Sequence, residues 1–275
     1  MKGQFTFRDR DIESSQQYRA IGKCLAIFGY MSQEEIKYMF KMDRHKAHHR
    51  IQKLLDRGII RRFPSLTVPP TFICLTSYGK DLVKKEGINE YVVDFVPSDY
   101  NLMWQNHHRS IIRVWWVLYE TYRDNLHWVG ERQLQREVVR RRLFDGEFII
   151  EGIMKELVDG DWGKEVVSRW VKKRFALEVE LELKTPKRYV KQFEQLAEEL
   201  RRRVFYDKQP IDRVIYVYLT PTIYDRLERH KMEQEGRGVK FYSDIGFVSY
   251  DDIITLRGEA EIRFSSGVRK VKELL

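Results

Sequence analysis

The sequence predicts an α+β fold with a mainly helical N-terminal part and a mixed C-terminal part. Residues 13–57 carry apolar side chains at helical spacing, whereas residues 175–184 alternate between apolar and charged side chains as a strand does. The charge is also uneven: residues 1–143 contain 25 Lys or Arg against 16 Asp or Glu, and residues 144–275 contain 25 of each kind. A chain of 275 residues accommodates two domains, and we predict one in each part.

The most basic stretch of the N-terminal part is a predicted helix that begins after Asp43, an N-cap residue, and ends at Gly58. Its apolar stripe consists of Ala47, Ile51, Leu54 and Leu55. Cations lie off that stripe, mostly in the first two turns, where a recognition helix contacts bases and phosphates. With two strand arginines they make up the predicted DNA-binding residues Arg44, His45, Lys46, His48, His49, Arg50, Lys53, Arg61 and Arg62.

The segments around this helix predict its companions. Residues 13–28 and 32–40 are predicted helices, and Ser32 and Glu35 have the spacing of a capping box. Two strands are predicted over 59–63 and 71–75, with Pro64, Pro69 and Pro70 in the loop between them, and LTSYGKDLVKKE predicts a further helix.

This order of elements resembles the winged helix-turn-helix, and the LTSYG segment is similar to the Leu-Thr-x-x-Gly exit of many winged-helix regulators. The resemblance implies a DNA-binding domain over residues 1–90. A competing interpretation is a small helical subdomain whose Lys and Arg only keep it in solution, since most runs of charge are solvated faces.

The composition restricts the compartment and the partners. The positive excess of residues 1–143 suits a polyanion such as double-stranded DNA. We expect no membrane association, because we find no signal peptide, lipid anchor or apolar stretch of spanning length. Cys24 and Cys74 occupy apolar positions and are predicted to be buried thiols of a cytoplasmic protein.

Between the two predicted domains, residues 91–101 are a predicted linker, because helical spacing lapses and glycine, proline and serine interrupt the chain around them. Residues 102–125 then predict an aromatic helix, in which His107 and His108 are expected to be structural because no metal-ligand partner stands at helical spacing. A second helix is predicted over 128–142.

The C-terminal domain, residues 102–275, continues with mixed elements. Strands are predicted over 147–150, 166–171, 175–184 and 213–219, with a hairpin through Lys172 and Lys173. Helices are predicted over 185–204 and 222–234, and residues 238–253 are predicted to add edge strands. Residues 151–165 give no clear prediction.

The strand over 175–184 is unusual because its charged side places three carboxylates, Glu178, Glu180 and Glu182, beside Lys184. With Asp145 upstream, this strand is similar to the core of the PD-(D/E)xK nuclease-like fold, also called restriction-endonuclease-like. That resemblance implies a Mg²⁺ held by Asp145 and Glu178, with Glu180 or Glu182 and Lys184 completing a catalytic group. The sequence departs from the motif, since Phe144 replaces its proline and Glu180 occupies the lysine position if the motif is registered on Glu178.

Nearly the whole chain resembles the replication-relaxation family, winged-helix proteins of plasmid and mobile-element replication and mobilisation that accompany a relaxase. The similar segments are RDIESSQQYRAIGKCLAIFGYMSQEEIKYMF, the His108-containing helix, LFDGEFII, ALEVELELKTPKRY and VIYVYLTP. The resemblance implies a DNA-binding accessory protein whose nuclease-like half is inactive, with no cofactor.

Two other hypotheses stay open: a magnesium-dependent DNA endonuclease targeted by the winged helix, and an adaptor that binds only proteins. We also expect a homodimer, because one winged helix covers little DNA and two would bind a repeated half-site.

Overall fold

The computed structural model describes residues 12–63, 72–85, 92, 105–131, 134, 144–160, 163–207 and 210–275. The fold is mixed α+β, as the sequence predicts, and the chain divides into two compact units, residues 1–113 and 114–275. The predicted loop at 64–70, residue 71 of the predicted strand after it and all of the predicted linker except Val92 lie outside the described residues.

The first unit combines helices with a small antiparallel sheet. Its elements are α1 (Ile12–Phe28), β1 (Met31–Ser32), α2 (Gln33–Phe40), α3 (Arg44–Asp56), β2 (Ile60–Phe63), β3 (Phe72–Leu75), α4 (Ser77–Lys85) and the beginning of α5 (Gln105–Tyr122). β3 pairs with both β1 and β2. The helices and strands predicted before residue 76 are confirmed to within one residue at each end.

The N-terminus of α2 is anchored by the predicted capping box. The Ser32 hydroxyl accepts a hydrogen bond from the Glu34 amide at 3.2 Å, and the Ser32 amide donates to the Glu35 carboxylate at 2.7 Å. Arg109 donates to the same buried carboxylate at 2.6 Å. Burial alone would raise the pKa of Glu35, but the Ser32 and Arg109 hydrogen bonds together outweigh it and lower the pKa below its ordinary 4.5. The Glu35 carboxylate therefore stays ionised and forms an ion pair that links α2 to Arg109 of α5.

Two further expectations for this unit are confirmed. Cys24 and Cys74 are free and buried, and burial raises the pKa of each thiol. His108 has a structural place: its ring stacks on Tyr30 with centroids 4.1 Å apart, and its Nε2 lies 3.3 Å from the Tyr30 carbonyl oxygen.

The second unit is built on a seven-stranded sheet in the order β10-β9-β8-β7-β6-β5-β4. Its strands are β4 (Leu126–Gly130), β5 (Gly146–Gly160), β6 (Gly163–Glu180), β7 (Arg213–Tyr218), β8 (Asp244–Ser249), β9 (Glu261–Phe264) and β10 (Gly267–Lys270). The later helices are α6 (Pro186–Arg202), α7 (Pro221–Gly236) and α8 (Tyr250–Leu256). β6, β7 and β8 are parallel, and the other neighbouring strands are antiparallel.

One face of this sheet forms the main core with α6 and α7. Ala176, Val214 and Tyr216 of the sheet belong to one buried cluster with Phe193 of α6 and Leu227 of α7. Burying each large apolar side chain contributes about 1.5–3 kcal/mol. The parallel strands are therefore fixed by the two helices that connect them.

The predicted hairpin through Lys172 and Lys173 is wrong, because residues 163–180 form one continuous strand. Lys172 pairs with Glu151 across the ladder, and its ammonium lies 2.7 Å from the Glu151 carboxylate. The chain reverses instead between Gly160 and Gly163, two residues suited to a tight turn. Residues 151–160, which carry no clear pattern of secondary structure, complete β5.

Three other predictions need correction. β6 ends at Glu180 and not at residue 184, because its parallel partner β7 ends opposite it at Tyr218. Trp128 lies in β4, opposite Phe148, and not at the start of a helix; most of the remaining predicted helix, residues 132–133 and 135–142, lies outside the described part. β8 is an interior strand between β7 and β9 and not an edge strand. No helix among the described residues is long and apolar enough to cross a bilayer.

Candidate nucleic-acid interface

The N-terminus of α3 follows a short turn after α2. Lys41 has a left-handed backbone with φ of 49°, which ends α2, and Asp43 caps α3 by accepting a hydrogen bond from the Lys46 amide at 2.8 Å. This bond also lowers the pKa of Asp43. The Gln33 side chain donates to the Arg44 carbonyl oxygen at 2.8 Å. These hydrogen bonds fix the orientation of α3 relative to α2.

The apolar stripe of α3 is buried as predicted, with Ala47, Ile51 and Leu54 inside and Leu55 half-buried at its edge. Gly58 ends the helix with φ of 67°, a left-handed conformation that suits glycine. Burial of the stripe fixes which side of α3 is left outside.

The outer side of α3 is cationic. Its exposed residues in the first three turns are Arg44, His45, Lys46, His48, His49 and Lys53. Within the described part of the chain, the side chains of Arg44, His48, His49 and Lys53 make no hydrogen bond or ion pair. The outer side of α3 is therefore available to an anionic partner.

Arg50 lies at the border of this surface and contacts α1. It donates to the Tyr18 hydroxyl at 3.3 Å, and its guanidinium lies 5.2 Å from the centre of the Tyr18 ring. Arg50 is thus held in one orientation, unlike its exposed neighbours.

The two strand arginines are exposed but occupy different surroundings. Arg62 donates to Gln52 of α3 at 3.5 Å, whereas Arg61 pairs with Cys74 of β3 across the sheet. Of the two, Arg62 extends the cationic side of α3. We name the set Arg44, His48, His49, Lys53 and Arg62 the α3 surface.

Three residues that were not among the predicted DNA-binding residues also lie here: Gln33, Gln52 and Arg57. Arg57 is exposed at the C-terminus of α3, four residues after Lys53, so helical spacing alone would have placed it on the same side. The hydrogen bonds of Gln33 and Gln52 depend on tertiary structure.

The hairpin beside α3 is fixed by the Leu-Thr-x-x-Gly segment. The Thr76 hydroxyl donates to the Gly58 carbonyl oxygen at 2.6 Å and accepts from the Gly79 amide at 3.0 Å. A Cβ at position 79 would lie 2.0 Å from the Ile59 carbonyl oxygen. Gly79 therefore allows α4 to approach the chain that leaves α3.

We expect Gly79→Ala to lower the free energy of unfolding by about 1–3 kcal/mol, because backbone must move to admit the methyl group. Glycine to alanine inside a helix ordinarily stabilises by roughly 0.5–1 kcal/mol, so the sign is reversed here. Gly236→Ala in α7 is the matched control, since no heavy atom lies within 4 Å of its added Cβ. Urea denaturation measures both, and a stabilised Gly79→Ala variant would contradict this close approach.

The residues of the predicted catalytic group lie at one end of β6. Asp145 precedes β5, its amide donates to the Leu177 carbonyl oxygen at 3.1 Å, and its carboxylate accepts from the Val179 amide at 2.6 Å. These bonds place Asp145 opposite Glu178, one position beyond the Gly146–Leu177 pair. Two of the predicted acids are therefore neighbours on adjacent strands.

The other members are arranged differently from the prediction. Glu180 is buried and pairs with Lys184, whose ammonium lies 2.5 Å from the carboxylate and 3.4 Å from the Gln192 side-chain oxygen. Glu182 follows the end of β6 and is exposed. Among the described residues there is no group of three or more His, Cys, Asp or Glu side chains that could hold a metal ion.

Comparisons of this chain with protein-family models, curated proteins and solved structures gave no match.

Proposed function

We propose that this protein binds double-stranded DNA as a winged helix-turn-helix, with α3 as the recognition helix and the β2–β3 hairpin as the wing. The observation that carries the proposal is the α3 surface: one side of α3 is fixed in the core, while the cations of the other side are exposed. If their Lys and Arg served only to keep a subdomain in solution, nothing would require them to gather on one helix.

The dimensions of α3 suit the major groove. Its 13 residues span about 20 Å, and the groove of B-DNA is about 12 Å wide. The N-terminal turns of a recognition helix contact base edges, so we assign Arg44, His48 and His49 to base or nearby phosphate contacts. Lys53 and Arg62, farther along the same side, are assigned to phosphates.

For the biological setting, we propose a member of the replication-relaxation family. This extension is supported by the segments quoted from the sequence. It makes the protein a cytoplasmic accessory factor for replication or mobilisation of a plasmid or another mobile element, with a relaxase as a candidate protein partner.

For the second unit, we propose a nuclease-like domain that does not cleave DNA. This is supported by the Glu180–Lys184 pair, which occupies both groups, and by the position of Glu182 outside β6. The Glu-x-Lys tripeptide 182–184 therefore does not present its two side chains from one strand.

A magnesium-dependent endonuclease is the second candidate, favoured by the adjacent positions of Asp145 and Glu178. These two carboxylates would hold the ion, and a bound Mg²⁺ would activate water and stabilise the charge that develops on the phosphate.

The proposed function predicts duplex binding with a steep dependence on salt. If about six phosphates are neutralised, affinity should fall roughly a thousandfold between about 50 and 200 mM salt. Supercoiled plasmid in the same buffer with Mg²⁺ should stay intact. Absence of duplex binding at low salt would overturn the proposal, and cleavage that disappears in Asp145→Asn would establish the second candidate.

A further inference from the structure

The hairpin of β5 and β6 extends beyond the rest of the sheet. The pairing of β4 with β5 stops at Ile150, and the pairing of β7 with β6 begins at Phe175. Among the described strands, residues 151–160 and 163–174 therefore pair only with each other. This two-stranded arm is about 33 Å long at 3.3 Å per residue. We call residues 151–160 and 163–174 the arm.

One face of the arm carries apolar side chains in solvent. Ile153 and Trp170 are directly opposite each other in the register, and each is 63% exposed. Val166 is on the same side of β6 as Trp170 and is 61% exposed. An isolated two-stranded hairpin is at best marginally stable in water. Covering the exposed apolar face of the arm with a binding partner would therefore stabilise it.

The face is also self-complementary. The two rows of this face whose side chains are both described pair like with like or opposite charges: Glu151 lies opposite Lys172, and Ile153 lies opposite Trp170. Suppose that two arms meet face to face and are related by a twofold axis that runs along the arm. Each β5 residue of one copy then lies over a β6 residue of the other copy, and that residue has the same number as its pairing partner within its own chain. Glu151 then meets Lys172 of the other copy, and Ile153 meets Trp170.

We propose that the arm is a dimerisation element and that its occupant is the arm of a second copy of this chain. The symmetric interface is isologous, which is the usual form of a twofold contact. A single arm is small beside the roughly 800 Å² per partner of a standard interface, so the dimer is transient and depends on concentration. The proposal does not rest on DNA binding, since both the arm and its test are independent of α3.

Sedimentation velocity of the full chain without DNA tests the proposal over a hundredfold range of concentration. We expect wild type to shift from monomer to dimer, and the double variant Ile153→Thr, Trp170→Thr to stay monomeric, because threonine keeps strand propensity and removes apolar surface. Val167→Thr, at 43% exposure on the opposite face of the same strand, is the matched control and should dimerise as wild type does. A wild type that stays monomeric, or a double variant that still dimerises, would overturn the proposal.

Cysteine pairs test the orientation and do not depend on the stability of the threonine variant. A mixture of Ile153→Cys and Trp170→Cys chains should form an intermolecular disulfide more readily than either variant alone, because in the proposed dimer position 153 of one copy lies over position 170 of the other and not over its own equivalent. The native Cys24 and Cys74 are buried and do not compete. Equal cross-linking in all three samples would exclude the proposed axis. If the chain is monomeric and the threonine variant instead loses affinity for duplex DNA, the arm is a nucleic-acid contact and the dimer proposal is wrong.

Discussion

Arg203→Met should lower the free energy of unfolding by about 3–5 kcal/mol, the usual result of removing one partner from a buried ion pair. Arg203 is 1% exposed and donates to two buried carboxylates, to Glu147 of β5 at 2.9 Å and to Glu199 of α6 at 3.0 Å. Methionine would fill much of the space but would remove both of these charge-assisted contacts, while the Arg174 guanidinium lies 3.8 Å from the Glu147 carboxylate.

The pKa of Glu199 indicates that the positive charge of Arg203 stabilises the folded state. Burial alone would raise this pKa, but hydrogen bonds from Arg202 and Arg203 outweigh burial and lower it below 4.5. A carboxyl whose pKa is lowered on folding adds stability above its unfolded pKa and loses that contribution as the pH falls through the folded value. In Arg203→Met this contribution should be smaller. The free energies of unfolding of the variant and of wild type should therefore differ less in acid than at neutral pH.

Arg201→Met is the matched control, because Arg201 lies two residues earlier, in the last turn of α6, but is exposed. We expect the free energy of unfolding of this control to differ from that of wild type by no more than about 0.5 kcal/mol. Urea denaturation at neutral pH compares the two variants, and similar stabilities would show that the buried network contributes nothing beyond packing.

The first unit could be predicted closely because its elements have local causes. Asp43 caps α3, Gly58 ends it, and Ser32 and Glu35 form a capping box within four residues. Each depends on hydrogen bonds between residues close in sequence. The exposed side of α3 then follows from the apolar stripe, since helical spacing fixes the direction of every other side chain.

The second unit was less predictable because its strands are defined by distant partners. Lys172 and Lys173 have no turn character, yet the break after Val171 in the apolar pattern suggested one; only pairing with β5 makes the strand continuous. The end of β6 at Glu180 is likewise set by β7, some forty residues later, and that end removes Glu182 from the predicted catalytic strand. The pair of Glu147 with Arg203 spans 56 residues and leaves no local pattern in the sequence.

The double variant Arg44→Ala, Lys53→Ala should bind a random-sequence duplex on the order of a hundredfold more weakly than wild type at about 50 mM salt, because two phosphate-neutralising charges are lost. The salt dependence should also become shallower by about two released counterions. Both side chains are exposed and make no hydrogen bond or ion pair in the described part of the chain, so the fold should be retained.

The control is the double variant Lys187→Ala, Arg201→Ala, which removes the same number of positive charges from two exposed positions of α6. Loss of net charge alone would weaken both variants equally. The measurement that decides the central claim is therefore the titration of this duplex with wild type and the two double variants. Selective loss of affinity in Arg44→Ala, Lys53→Ala is the result we predict; equal affinity of the two variants would contradict recognition of DNA by α3.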